Sequence, residues 1–182
     1  MLLSGVAIFE ASASNIFHIQ LHVKAQLVAY MLITPMSGYI VGCYLANKLS
    51  SCYNIDATFV IGIITALVGC FSLLIPTMIH VESIPAILIP MIIYMLGVGI
   101  VLPTAATGST NVFGHCAGIV GAILGGGQNL VAGLLICLLY ALPQTSQLTL
   151  AAFLLAGTLI SYLSYLLCNN KINAVKEVLP TN

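Results

Sequence analysis

Charge is what this sequence has least of. Four lysines, no arginine and four carboxylates make up 4% of 182 residues. So few cations cannot form a basic patch for nucleic acid. The formal net charge of zero removes long-range steering of a charged macromolecular partner. Paired carboxylates, a plausibly placed Ser-His-Asp set and an HExxH run are all missing, so no enzyme is expected. Six cysteines (43, 52, 70, 116, 137 and 168) are scattered, mostly within apolar blocks, with no CxxC and no Cys/His cluster. That pattern excludes a zinc or redox site and leaves the cysteines as small packing residues, with no metal and no cofactor expected. The N-terminus has no basic stretch, and Glu10 stands directly before Ala11-Ser12-Ala13. Both features argue against a cleaved signal peptide and for a partial membrane span.

What is abundant is apolar. Sixty per cent of the residues are hydrophobic, and the mean hydropathy is +1.15. A soluble domain needs a polar outer face, which such a composition cannot supply. Roughly 20 apolar residues at 1.5 Å each cross a ~30 Å hydrocarbon core. On that measure the chain is an all-α, polytopic membrane helical bundle. Its expected spans are 1–17 (partial), 26–46, 58–79, 84–106, 114–141 and 147–168, forming one transmembrane unit over 1–168. Links this short force neighbouring helices to run antiparallel. Residues 169–182 form a short polar tail. Lys48, Lys171 and Lys176 fall on one side of the membrane and Lys24 on the other, so the positive-inside rule puts the first side, with the C-terminus, in the cytoplasm. His18, His22, His80 and Glu82 then lie in solvated loops on the far side.

Small residues recur at helical spacing. Gly38, Gly42 and Ala46 share a face, as do Gly62, Ala66 and Gly69, and GxxxG pairs occur at Gly114/Gly118 and Gly121/Gly125. In lipid, association relies on close van der Waals contact, which small residues permit. These pairs indicate a bundle and nothing narrower.

The segment from Gly97 to Gln128, GVGIVLPTAATGSTNVFGHCAGIVGAILGGGQ, carries more information. Pro103 removes a backbone donor inside or at the end of a span, so the helix is expected to kink or end there. Gly97 and Gly99, one turn earlier, allow a bend. A broken span lies where protein or a cavity satisfies the freed groups, which suits a moving or substrate-lining helix as well as a packing kink. Gly118, Gly121, Gly125, Gln128 and Ala132 follow at spacings that place them on one helix face. A glutamine in lipid must face protein or water, so Gln128 contacts either a substrate or a neighbouring helix. Glu10 is an acidic residue within an apolar run. It is a candidate for proton coupling, with a solvated position near the membrane surface as the alternative. His115 reads as a solvated or capping residue, Asp56 and Ser83 as helix N-terminal residues, and Tyr30, Tyr94 and Tyr140 as interfacial or packing aromatics.

The two motifs in this segment resemble the tenth and eleventh helices of major facilitator transporters of the Bcr/CflA drug:proton antiporter group. Gly97, Gly99 and Pro103 match a GxGxxxP run. Ala117, Gly118, Ala122, Gly125 and Gln128 match an AGxASAxxGxxQ run in register, with Val120 and Gly121 where Ala and Ser usually stand. Ala13 to Phe17 is similar to the outer end of the seventh helix, with Asn15 in place of the usual proline. Gly42, Asn47 and Lys48 echo the cytoplasmic loop between the eighth and ninth helices, but its acidic residue and remaining basic residues are missing.

The resemblance implies the C-terminal half of a major facilitator fold, about five full spans after a partial first. It implies a secondary active transporter of the bacterial inner membrane, exchanging protons for small hydrophobic drugs. Gly97, Gly99, Pro103, Gly118, Gly121, Gly125 and Gln128 would then line the path or pack its helices. The expected partners are the bilayer, substrate and protons, and a missing N-terminal half without which this half is truncated and not competent. The alternative is a non-transporting membrane subunit that uses its glycine faces to pack against and stabilise a partner.

Overall fold

The computed structural model describes residues 2–15, 17, 24–79, 83–112, 116–140 and 147–178. His18, His22, His80, Glu82, Gly114 and His115 lie outside these residues, as do the side chains of Tyr140, Lys171 and Lys176. The described residues form helices α1 (Leu2–Asn15), α2 (Ala25–Ile33), α3 (Met36–Cys52), α4 (Ile55–Met78), α5 (Ile84–Val112), α6 (Ala117–Tyr140) and α7 (Gln147–Val178). Five stretches are long and apolar enough to cross a membrane: Gln26–Cys52, Ile55–Met78, Ile84–Thr110, Ala117–Leu138 and Leu148–Leu167. Leu2–Ser12 is a shorter apolar helix. The chain is an all-α polytopic membrane bundle.

The hub is α5, flanked by α3 and α4. Met91, Tyr94, Met95, Val98 and Ile100 on α5 are buried, and Ile63, Ala66 and Leu73 on α4 meet the same core. Glycine sets how closely these helices approach. A Cβ at Gly69 would lie 2.6 Å from the Tyr94 amide nitrogen, and one at Gly62 would lie 2.7 Å from Val101 Cγ2. On the other side, a Cβ at Gly38 would strike the Ile92 carbonyl oxygen. Two polar contacts extend the hub. The Tyr94 hydroxyl donates to the Leu2 carbonyl at 2.8 Å, which ties α5 to α1. The Cys70 sulfur lies 3.4 Å from Thr158 Oγ1, which ties α4 to α7. Buried polar groups in so apolar a setting are stable only with such partners.

The helices run past their expected ends. The region 47–57 was expected as a link, yet α3 continues to Cys52 and α4 begins at Ile55. Asn47, Lys48, Ser50 and Ser51 are exposed on that extension, and the Ser51 hydroxyl donates to the Asn47 carbonyl at 2.9 Å. A helix satisfies its own backbone, so it need not stop where the hydrocarbon stops. For the same reason α7 carries on to Val178, into the expected tail. Within the expected span 26–46 the helical ladder is interrupted at Thr34–Pro35, while both residues keep helical backbone angles and Gln26–Cys52 stays one apolar stretch. Proline removes an amide donor from the ladder. Pro35 leaves the Met31 carbonyl without its helical donor. The hydroxyl of Thr34 donates to the Tyr30 carbonyl at 2.8 Å and that of Ser37 to the Thr34 carbonyl at 2.7 Å, and since both carbonyls also accept backbone amides, these bonds flank the gap without filling it.

α6 stands at the edge, against α1. Ile119, Ile123, Leu130, Leu134 and Leu138 are exposed along it. Exposed apolar surface on a membrane helix faces either lipid or another protein surface.

Glycine to alanine substitutions should separate hub from edge. Gly69→Ala is expected to destabilise the bundle by about 1–3 kcal/mol, because the new methyl meets backbone and overpacks the α4–α5 contact. Gly133→Ala, where a Cβ meets nothing within 4 Å, should be neutral or slightly stabilising. Denaturant-induced loss of helicity in detergent measures both.

Candidate functional site

The seam between α3 and α5 contains several of the residues that stand out in the sequence. A Cβ at Gly42 would lie 3.0 Å from Gly99 Cα and 3.1 Å from the Gly99 carbonyl carbon. Pro103 has no amide hydrogen, so the Gly99 carbonyl four residues back loses its helical donor. The peptide left without that donor is the one pressed against α3. Gly97 lies on the other side of α5, where its Cβ would fall 2.7 Å from the Gly62 carbonyl oxygen on α4. Gly97 and Gly99 therefore let one helix approach two neighbours at the same level.

Pro103 does not end the helix. α5 runs unbroken through Pro90 and Pro103 to Val112, six residues beyond the expected end at 106. Hydroxyls attend its polar end. Thr104 Oγ1 donates to the Ile100 carbonyl at 2.6 Å and Thr107 Oγ1 to the Pro103 carbonyl at 2.9 Å. Ser109 Oγ donates to the Ala105 carbonyl at 2.9 Å and Thr110 Oγ1 to the Ala106 carbonyl at 3.0 Å. Packing on both flanks holds the geometry against proline's local cost.

Beside this seam is a cavity of about 270 Å³ lined by Cys43, Ala46, Asn47, Ser50, Pro103, Thr104 and Thr107. It unites Asn47 and Pro103, which are 56 positions apart in the sequence. Cys43, Ser50, Thr104 and Thr107 were not singled out in advance. Their signal was present as small or polar residues at helical spacing on α3 and α5. Among the described residues the lining has no charged group, so it suits water or an uncharged polar group. Lys48 is exposed nearby on α3 and does not line it.

The remaining residues lie elsewhere. Gly118, Gly121 and Gly125 have nothing within 4 Å of a Cβ position. The expected helix contact is therefore not made at these positions among the described residues, because α6 turns this face outward. Gln128 is half-exposed on the same face. Asn129 beside it donates from Nδ2 to the Gly125 carbonyl at 3.0 Å and so is satisfied within its own helix. Glu10 is exposed on α1. The buried Tyr94 serves packing, and Tyr30 is exposed. Among the described residues there is no group of three or more His, Cys, Asp or Glu able to hold a metal.

A glycine-packed helical membrane bundle with a polar seam and one outward small-residue face is the kind of structure from which membrane transporters are built. The chain is 29% identical over 159 residues to Multidrug resistance protein D of Escherichia coli, a match covering 87% of this chain. The chain thus spans about 40% of that curated relative's length. The resemblance to major facilitator multidrug transporters carried by Gly97 to Gln128 is borne out by this relative. No family model matches the chain, and no solved structure matches it.

In a cysteine-free background, cysteines at Asn47 and Thr107 should be joined by a short bismaleimide, since both line the same cavity. A Gln128→Cys/Thr107→Cys pair should not react. Gel mobility after linking and cleavage between α3 and α5 reports the result.

Proposed function

We propose that this chain forms the second wall of a drug-efflux transporter of the bacterial inner membrane, working against a preceding six-helix half. The observation that carries the proposal is the outward face of α6. Gly118, Gly121 and Gly125 leave it smooth, with nothing within 4 Å of a Cβ at any of them, and the half-exposed Gln128 makes it polar. Lipid is a poor neighbour for a half-exposed glutamine, whereas a translocation path or a partner helix satisfies it. The likeness to a multidrug resistance protein over 87% of the chain supports the same reading.

In this account the transported molecules are small and hydrophobic, and protons exchanged in the opposite direction drive them. Glu10, exposed on α1, is the proton-coupling candidate. The α3–α5 seam, with Gly42, Gly99 and Pro103, is where the wall would flex, and Asn47 and Lys48 lie at its cytoplasmic end. The C-terminus is cytoplasmic, on the lysine count. Alternating access consists of one half rocking against the other around the shared path. A second reading, a non-transporting subunit, uses the same α6 face as a contact surface.

The test is a chimera carrying this chain behind the first half of Multidrug resistance protein D, expressed in an efflux-deficient bacterium. Accumulation of a hydrophobic fluorescent dye should fall relative to either half alone, and collapsing the proton gradient should restore it. Gln128→Leu should reduce efflux by about tenfold, the loss of one buried polar contact, while leaving membrane levels unchanged. If the substitution instead abolishes assembly, the α6 face is a contact surface and the subunit reading replaces transport.

A further inference from the structure

A second cavity, of about 230 Å³, opens where α4 begins and where α5 and α7 leave their apolar spans. Ile55, Asp56, Phe59, Thr104, Ala105, Gly108, Ser109 and Tyr165 line it. We infer that this cavity binds an alkylammonium head group through the Asp56 carboxylate and the paired rings of Phe59 and Tyr165.

The chemistry of the lining points to a cation. Among the described residues Asp56 is the one charged side chain in the lining, and no lysine or histidine contributes. The hydroxyl hydrogens of Thr104 and Ser109 are already given to the Ile100 and Ala105 carbonyls, at 2.6 and 2.9 Å. Their oxygens are left to act as acceptors. An anion would find a carboxylate and few free donors, whereas an ammonium would find a carboxylate and several acceptors. The Phe59 and Tyr165 rings add a second cation-favouring element. Their centroids are 5.1 Å apart with planes tilted by 36°, so the rings pack on each other and a cation would meet an outer face of the pair, not the gap between them; aromatic faces attract ammonium ions. The volume holds about eight waters, enough for an ammonium with a short alkyl arm.

Position indicates where such a head group comes from. Ile55 opens one apolar span, Gly108 and Ser109 lie near the end of a second that closes at Thr110, and Tyr165 lies near the end of a third that closes at Leu167. The cavity is thus at the level where the hydrocarbon gives way to head groups. Two sources share the chemistry: the ethanolamine head of a membrane lipid, and a soluble organic ammonium. This chain alone forms the site, which depends on neither the α6 face nor transport.

The test uses the full chain in nanodiscs. Native mass spectrometry from equimolar phosphatidylethanolamine and phosphatidylglycerol reads lipid retention. Equilibrium dialysis of radiolabelled choline, in phosphatidylglycerol-only discs, reads the soluble source. Three variants accompany the wild type. Asp56→Asn removes the charge and Asp56→Glu keeps it. Gly108→Phe plugs the cavity from a position where a Cβ meets only Ile55 Cγ2, at 3.6 Å. If the lipid fills the site, phosphatidylethanolamine is enriched about fivefold or more. That preference disappears in Asp56→Asn and Gly108→Phe and survives in Asp56→Glu. If the soluble cation fills it, lipid preference is absent, and saturable choline binding follows the same pattern across the variants. Equal lipid retention and equal choline binding in wild type and all three folded variants overturn the proposal.

Discussion

Close backbone contact through glycine is the constraint on which the rest of this bundle depends. Lipid tails are as apolar as leucine, so hydrophobic burial cannot draw two membrane helices together. Association must come from dispersion at short range and from a few internal hydrogen bonds. α5 meets that requirement on both flanks at once, through Gly97 and Gly99 from its own side and through Gly38, Gly42, Gly62 and Gly69 from its neighbours. Side chains at five of these points would collide with peptide groups, and one at Gly62 with the Ile100 and Val101 side chains, so the helices could not stay at this separation. The Tyr94–Leu2 and Cys70–Thr158 contacts then fasten α1 and α7 to a slab already formed.

The same constraint bears on the prolines. Pro103 and Pro35 each remove one amide donor. Pro103 lies in a helix packed on both sides, and the helix passes through it intact. Pro35 is itself buried, and Thr34 and Pro35 both keep right-handed helical backbone angles. The helical ladder is interrupted there, yet Gln26–Cys52 remains one apolar stretch long enough to cross a membrane. The outer turns of α2, with Leu27, Tyr30 and Ile33 exposed, join the α3–α5–α4 slab through that junction.

Much of this was legible before the structure. The bilayer restricts crossing segments to helices, so apolar blocks translate almost directly into an all-α bundle. Glycine at helical spacing marked Gly38/Gly42 and Gly62/Ala66/Gly69 as contact faces, and those faces do make contact. Helix ends were less legible because hydropathy reports where hydrocarbon stops, whereas a helix needs only its own hydrogen bonds to continue. α3, α5 and α7 all run on for that reason. At the site, Gly42, Asn47, Gly99 and Pro103 stood out individually, but their meeting along one seam did not. Periodicity identifies a face without identifying the opposing helix. Cys43, Ser50, Thr104 and Thr107 were missed for that reason. Gly118, Gly121 and Gly125 were grouped on one face, but whether that face met this chain or something else was not readable.

On the proposed function, the slab and the outward α6 face form a wall beside a water-reached path. The measurement that tests this most directly is water access along α6 in native membranes of the assembled protein, read by N-ethylmaleimide labelling of single cysteines from 117 to 132. Maleimide alkylates the thiolate, which forms only where water reaches the thiol. Labelling is expected at Gly118, Gly121, Gly125 and Gln128, with protection at Ile119, Ile123 and Leu130. Protection at all seven positions, as expected of a helix surrounded by lipid, would contradict it.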